Sequence, residues 1–165
     1  MNKKLQSFYE SIGLIIDEQN FYGTYKSMPL FGNANPWGMG ISCIVIPFYG
    51  TEQQINDVIV ALNNIDRFVT CNRADIGVII CINGWTFKST LKNMPTYLDK
   101  INEIIVNSGV LVSKEGHEIC PLCGIELTSS TPVEVCKGTN IKVCASCMEK
   151  SLKEGEEQIE AEKAI

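Results

Sequence analysis

The sequence has little positive charge, a single histidine and no long apolar run. Its 14 lysines and arginines are outnumbered by 19 aspartates and glutamates, giving a formal charge of −5. Proteins that bind nucleic acid through its phosphates need an excess of positive charge, so this class of function is not expected. No stretch approaches the roughly 18 to 20 apolar residues that span a bilayer. Polar residues also interrupt the amino-terminal region where a signal peptide would need its apolar core. We therefore expect a cytoplasmic protein.

Motifs typical of enzymes are missing as well. The sequence contains no G-x-S-x-G, H-E-x-x-H or G-x-G-x-x-G. In "INGWTFKST", a phosphate loop ending on Lys88 would need glycines where Ile82 and Phe87 stand. We predict that the protein is not an enzyme and has no catalytic or cofactor-binding residues apart from metal ligands.

Eight cysteines are the most informative feature that is present, and four of them form two C-x2-C pairs. "CPLCG" begins at Cys120 and "CASC" begins at Cys144, with 20 residues between Cys123 and Cys144. This spacing is typical of zinc sites, and thiols stay reduced in the cytoplasm. The sequence predicts one Zn²⁺ bound by Cys120, Cys123, Cys144 and Cys147. Four thiolates leave no open coordination position, so the role would be structural.

Two alternative functions use the same cysteines. A thiol redox protein would cycle one C-x-x-C between dithiol and disulfide, but thioredoxin-like pairs follow a strand in a β-α-β unit. A nucleic-acid-binding finger would need a basic face, whereas residues 114–147 hold four acids and three bases. Both alternatives remain open at this point.

The other candidate ligands are interpreted as structural. His117 is predicted to be a solvated residue near the first pair, and Cys136 a packing residue in a hairpin. Cys43, Cys71 and Cys81 fall in predicted strands, where cysteine behaves as a small buried hydrophobic residue.

The pattern around the pairs predicts a small finger. Pro121 and Gly124 suit a tight turn, "PVEVCKGTNIKV" predicts a β-hairpin, and a helical pattern starts at the second pair. This arrangement resembles a treble-clef or zinc-ribbon finger over about residues 117–160. It is also similar to uncharacterised bacterial proteins in which such a finger precedes membrane helices. A membrane link is expected only if the native chain continues past Ile165.

Residues 1–113 predict an α+β domain with an antiparallel sheet and the order α-β-β-β-α-β-β-α. Helices are predicted over 2–12, 52–65 and 86–108, the last with a break or a restart at Pro95–Thr96. Thr51 and Gln54 form a capping-box pattern. "RFVTC" and the apolar run "IGVIICI" are predicted strands joined across "NRAD", the second of them central in the sheet. The element order resembles the type III secretion chaperone-like fold.

The composition changes at "SKEGHE", residues 113–118, which predicts a linker between a domain at 1–113 and a finger with a carboxyl-terminal helix at 114–165. The preferred function is a protein-interaction or adaptor protein whose partner is a protein or peptide. "MPLFGNANPWGMG", residues 28–40, could supply an adaptable binding surface, or its apolar residues could lie in the core of a strand–turn–strand unit.

Overall fold

The structure is a computed structural model that describes residues 3–34, 42–83, 87–113, 117–137 and 139–163. Its helices and strands are α1 (Lys3–Ser11), β1 (Ile15–Asp17), β2 (Asn20–Tyr25), β3 (Met28–Ala34), β4 (Ser42–Ile46), α2 (Glu52–Asn63), β5 (Val69–Ala74), β6 (Gly77–Ile82), α3 (Phe87–Asn107), β7 (Val133–Val135), β8 (Lys142–Cys144) and α4 (Ala145–Lys163). The predicted α+β class is confirmed. The short strand β1 adds one element to the predicted order.

Six strands form one antiparallel sheet in the order β1-β2-β3-β4-β6-β5. Successive side chains of a strand point to opposite faces. Along β4, Ile44 and Ile46 are accordingly buried, whereas Cys43 and Val45 are half-buried. One face of the sheet is therefore fully covered and the other only partly.

Helices α1, α2 and α3 cover the first of these faces, and their buried residues join those of the strands in one hydrophobic core. Tyr9 of α1 stacks on Phe21 with ring centroids 3.9 Å apart. The Tyr9 hydroxyl donates a hydrogen bond to Ser42 Oγ at 2.8 Å. This bond satisfies two polar groups that would otherwise be buried away from water at a cost in stability.

The predicted capping box starts helix α2. Thr51 Oγ1 accepts a hydrogen bond from the Gln54 N–H at 3.3 Å, and Gln54 Oε1 accepts one from the Thr51 N–H at 2.9 Å. Gln54 Nε2 also donates to the carbonyl oxygen of Gly109 at 3.1 Å. Gly109 follows α3 with a φ of +72°, a left-handed conformation that is common for glycine just after the end of a helix. One side chain thus joins the start of α2 to the end of α3.

The predicted break at Pro95 is wrong, because α3 is continuous through that residue. A proline inside a helix loses one backbone hydrogen bond and crowds the preceding turn. Pro95 itself is exposed, while Met94, Leu98 and Ile101 are buried in the core on both sides of it. Burial of this apolar face stabilises the helix enough to outweigh the local cost.

The hairpin between β5 and β6 turns later than predicted. Asp75 and Ile76 form the turn, because Ala74 pairs with Gly77. The predicted connection at 72–75 is therefore mostly strand. Gly77 has a φ of +110°, and a Cβ there would collide with the Ile46 carbonyl oxygen on the neighbouring strand. This close backbone approach requires glycine at the first residue of β6, and it therefore fixes where β6 begins.

The carboxyl-terminal part packs against the half-covered side of the sheet. Its buried core residues are in contact with Phe31 of β3 and with Ile76. The backbones of Tyr49 and Leu111 exchange two hydrogen bonds, of 3.0 and 2.8 Å. These bonds hold the chain against the six-stranded sheet and its three helices, here called the sheet domain, before the finger begins. The predicted linker falls partly outside the described residues, which omit 114–116, so the division at this point stays a prediction.

Residues 28–40 were considered as a possible binding surface, but most of their described apolar side chains pack inside the protein. Met28 and Leu30 are buried in the main core, and Phe31 packs on the finger. Trp37 and Met39 lie outside the described residues. The interpretation as a core strand therefore applies to residues 28–33.

Helix α4 leaves the finger with much of its surface exposed. The side chains of Leu152 and Ile159 are 61% and 53% exposed. Within the described ranges, no helix combines the length and apolar character needed to cross a membrane.

Candidate metal centre

The first pair of cysteines lies in a tight turn. The Gly124 N–H donates to the Cys120 carbonyl oxygen, and the Cys120 N–H donates to the Ile125 carbonyl oxygen, both at 2.8 Å. Gly124 has a φ of +74°, as predicted, a conformation that is unfavourable for residues with a Cβ. The turn brings the sulfur atoms of Cys120 and Cys123 to one place.

The second pair lies where the predicted hairpin meets the predicted helix. Strands β7 and β8 pair with Val133 opposite Cys144, and the Cys136 N–H donates to the Ile141 carbonyl oxygen at 2.9 Å. Cys144 ends β8 and Cys147 lies in the first turn of α4. A short hairpin and a helix start therefore position two thiols that are three residues apart.

The sulfur atoms of Cys120, Cys123, Cys144 and Cys147 all lie within 4.8 Å of one another, and those of Cys123 and Cys144 are 3.7 Å apart. In a tetrahedral site with metal–sulfur bonds of about 2.3 Å, the sulfurs are about 3.8 Å apart. The four predicted residues are thus brought together at a spacing that could hold a metal ion.

Nearby donors suit negatively charged sulfur. The Cys144 N–H donates to Cys120 Sγ at 3.5 Å, and the Ser146 hydroxyl oxygen is 3.3 Å from Cys144 Sγ. Cys120 and Cys144 are buried together with Ile141 and Val143. Hydrogen bonds to thiolates and an apolar surround are the usual means by which a protein stabilises a metal–thiolate group.

The thiols differ in pKa. The hydrogen bond from Ser146, assisted by the backbone N–H of Cys147, lowers the pKa of Cys144 to about 6 although burial opposes it. Burial is the main cause that raises the pKa of Cys147 and of Cys123. The start of α4 therefore favours the thiolate form of Cys144 but not that of Cys147. Four thiolates at one place repel one another unless a cation lies among them. A metal ion would therefore have to displace the protons of Cys123 and Cys147, the two thiols whose pKa is raised.

Two other candidate ligands lie outside this group of four sulfurs. His117 is exposed, and its Nδ1 is 3.0 Å from Glu126 Oε1. Cys136 is half-buried and packs against the core of the finger. Their positions agree with the interpretation of both as residues without a ligand role.

A cavity of about 540 Å³ lies between the sheet domain and the finger. The charged residues of its described lining are Lys26, Glu118 and Lys142. Lys142 pairs with Glu118, and Lys26 pairs with Asp99, each at 2.7 Å. Since these charges are already compensated, the cavity does not indicate a charged ligand.

One further pair of cysteines lies close together and was not expected from the sequence. Cys71 is buried in the main core, as expected. Cys43 and Cys81 instead lie half-buried on the opposite face of the sheet, with their sulfur atoms 2.9 Å apart. The alternation within each strand could have placed both on this face, but only the register between strands makes them neighbours.

No protein-family model, curated protein or solved structure matches this chain. The resemblances to treble-clef fingers and to the type III secretion chaperone-like fold therefore stay predictions.

Proposed function

We propose that the protein is a non-enzymatic adaptor whose carboxyl-terminal finger is organised by one structural Zn²⁺. Cys120, Cys123, Cys144 and Cys147 would be its ligands. The observation that carries the proposal is the convergence of these four sulfurs within 4.8 Å. A complete set of four thiolates leaves no position for water or substrate, which favours a structural role over a catalytic one.

The size of the finger core supports a requirement for metal. Among the described residues of the finger, the buried hydrophobic ones are Ile119, Cys120, Ile141, Val143 and Cys144, and two of these are proposed ligands. So few buried side chains supply little hydrophobic stabilisation. Binding of Zn²⁺ to small fingers contributes on the order of 10 kcal/mol of apparent folding free energy, which is sufficient to order such a segment.

Ligand chemistry supports zinc as the metal. Four thiolates in a tetrahedron suit Zn²⁺ or an iron centre. Zinc fits a structural role better because it has no redox chemistry and no geometric preference of its own. Metal analysis of the purified chain separates the two metals directly.

We assign the adaptor surface to helix α4. Leu152 and Ile159 are seven positions apart, about two helical turns, so they lie on the same side of the helix. Both are more than half exposed. Most of the stability of protein helices comes from packing of an apolar face, so this face suits coverage by a partner.

Charge indicates the chemistry of that partner. Residues 148–165 contain six acids and three bases, a net charge of −3, and a zinc–tetrathiolate group would add −2. Two copies of this acidic helix would repel each other. A helix of another protein, with an apolar stripe flanked by lysines or arginines, would complement it. We therefore propose that a basic amphipathic helix of another protein binds the side of α4 that carries Leu152 and Ile159.

The test begins with a photo-reactive amino acid at position 152 of the full-length, zinc-loaded chain in its native cells. The cross-linked protein is identified by mass spectrometry, purified and titrated against the wild-type chain. We expect Leu152→Glu to weaken binding at least tenfold and Ser151→Glu, which adds the same charge one position away, to have much less effect. Equal effects of the two variants, or cross-links only between copies of this chain, would overturn the assignment of α4.

A further inference from the structure

Cys43 and Cys81 form a second pair of sulfurs, separate from the candidate metal centre. They occupy directly opposite positions in the antiparallel strands β4 and β6. Opposite residues of such strands have Cα atoms about 4.5 to 5.5 Å apart. Disulfides are formed across Cα separations of about 4.4 to 6.8 Å, so the register alone satisfies this requirement.

The side chains also approach each other. The two Sγ atoms are 2.9 Å apart, within about 1 Å of the covalent S–S distance of about 2.05 Å. Small side-chain rotations would close this gap, and the backbone pairing would not have to change.

We propose that Cys43 and Cys81 are a reversible oxidation site. A low-molecular-weight disulfide such as oxidised glutathione oxidises them, and they form a cross-strand disulfide with each other. This site is distinct from both C-x-x-C pairs. It does not depend on the adaptor function, because it rests on the register of the sheet and on the distance between the two sulfur atoms.

The reaction proceeds in two exchange steps. One protein thiolate attacks oxidised glutathione, forming a mixed disulfide and releasing one glutathione thiolate. The second protein sulfur then attacks the mixed disulfide, forming the Cys43–Cys81 bond and releasing the second glutathione. The protein loses two thiol protons and two electrons, and oxidised glutathione takes them up to become two molecules of reduced glutathione. Burial and the neighbouring sulfur raise the pKa of Cys43 to about 12, which slows attack by its thiolate.

The surroundings favour oxidation of Cys43 and Cys81 over oxidation of Cys71. Cys71 lies on β5 beside β6, but it is buried in the core on the helix-covered face. Cys43 and Cys81 are only half-buried on the other face, where a small oxidant has better access. The next cross-strand row on the same face contains Phe31 and Val45, and Phe31 packs against the finger. A disulfide here would join β4 and β6 beside that contact.

The test uses the full chain loaded with Zn²⁺, so that the four proposed ligands are occupied. After treatment with oxidised glutathione and alkylation of free thiols, intact mass should show the loss of two thiols without a glutathione adduct. Peptide mapping should recover a linked peptide containing Cys43 and Cys81, and dithiothreitol should restore both thiols. The zinc content should remain unchanged.

Variants and wild-type mapping make the proposal falsifiable. Cys43→Ser and Cys81→Ser should each abolish the linked peptide, whereas Cys71→Ser should leave it intact. A stable mixed disulfide, a linkage to another cysteine, or a folded wild-type chain that retains all its thiols would overturn the proposal. The wild-type peptide map decides the question even if a variant fails to fold.

Discussion

Gly124 of the finger lies against the ring of Tyr49 in the sheet domain. A Cβ on Gly124 would lie 2.7 Å from Tyr49 Cδ1. The same glycine has a φ of +74° and closes the turn that holds Cys120 and Cys123. One residue without a side chain thus combines the turn of the candidate metal centre with its contact to the sheet domain.

Gly124→Ala should destabilise the chain because it introduces both a left-handed strain and a clash with the Tyr49 ring. The strain alone costs roughly 1 to 2 kcal/mol. Urea unfolding of the zinc-loaded protein measures the change. Gly155→Ala is the matched control: Gly155 lies inside α4 with open space around its Cα, so alanine should stabilise the helix by about 0.5 to 1 kcal/mol. Equal effects of the two substitutions would contradict this interpretation of Gly124.

The purified chain should contain one zinc with sulfur–metal distances of about 2.3 Å, measured by elemental analysis and X-ray absorption. Cys123→Ser should lose most of this metal, because a hard hydroxyl replaces a soft thiolate in a closed set of four. Chelation should unfold the finger and leave the sheet domain folded, which hydrogen exchange can resolve along the chain.

Cys136→Ser is the control for that experiment. Cys136 is also a cysteine of the finger, half-buried beside its core, but its sulfur is not among the four that converge. The Cys136→Ser variant should therefore retain a full equivalent of zinc. Full zinc occupancy in Cys123→Ser, or loss of zinc in Cys136→Ser with Cys123→Ser unaffected, would exclude the proposed ligand set.

Zinc binding should release protons. Burial raises the pKa of Cys123 and of Cys147, so both thiols are protonated at neutral pH in the metal-free chain. Each must lose its proton to become a ligand, which predicts the release of at least two protons per zinc. Protonation favours the metal-free form, so affinity should fall as the pH is lowered. Calorimetry at pH 7 in buffers of different ionisation enthalpy counts the protons. A count of zero would show that these two thiols are not ligands.

The candidate metal site could be predicted from the sequence because its geometry is largely local. Each C-x2-C fixes two sulfurs within a few residues, through a turn closed by Gly124 and through the first turn of α4. The capping box of Thr51 and Gln54 is local in the same way. In both cases residues close in the sequence set the local backbone conformation.

Pairing across the sheet could not be predicted in this way. Cys43 and Cys81 are neighbours because β4 pairs with β6 in one particular register, and 38 positions separate them in the chain. A shift of one residue would place one of them on the other face. Pro95 shows a related limit, since the local preference of proline is overridden by the burial of Met94 and Leu98 in a core formed by distant segments.

Binding to duplex DNA or RNA should be absent or weak at physiological salt. The net charge of −5, and the further negative charge that a zinc–tetrathiolate group would add, oppose an approach to phosphates. Fluorescence anisotropy with labelled duplexes over a range of salt concentrations tests this expectation. Micromolar or tighter binding that weakens steeply with salt would contradict it, because such a slope is produced by neutralised phosphates.

A fragment of residues 1–113 should fold without the finger. Its core joins the sheet to α1, α2 and α3 and contains Ile44, Ile80 and Leu98, with no contribution from the described residues of the finger. Removing the finger would expose Phe31 and the ring of Tyr49, so we expect a lower midpoint in urea than for the full chain. Phe31→Ser in the fragment should recover solubility if this newly exposed surface causes association. Circular dichroism and the urea midpoint measure the outcome, and an unfolded fragment beside a folded full chain would place the domain boundary elsewhere.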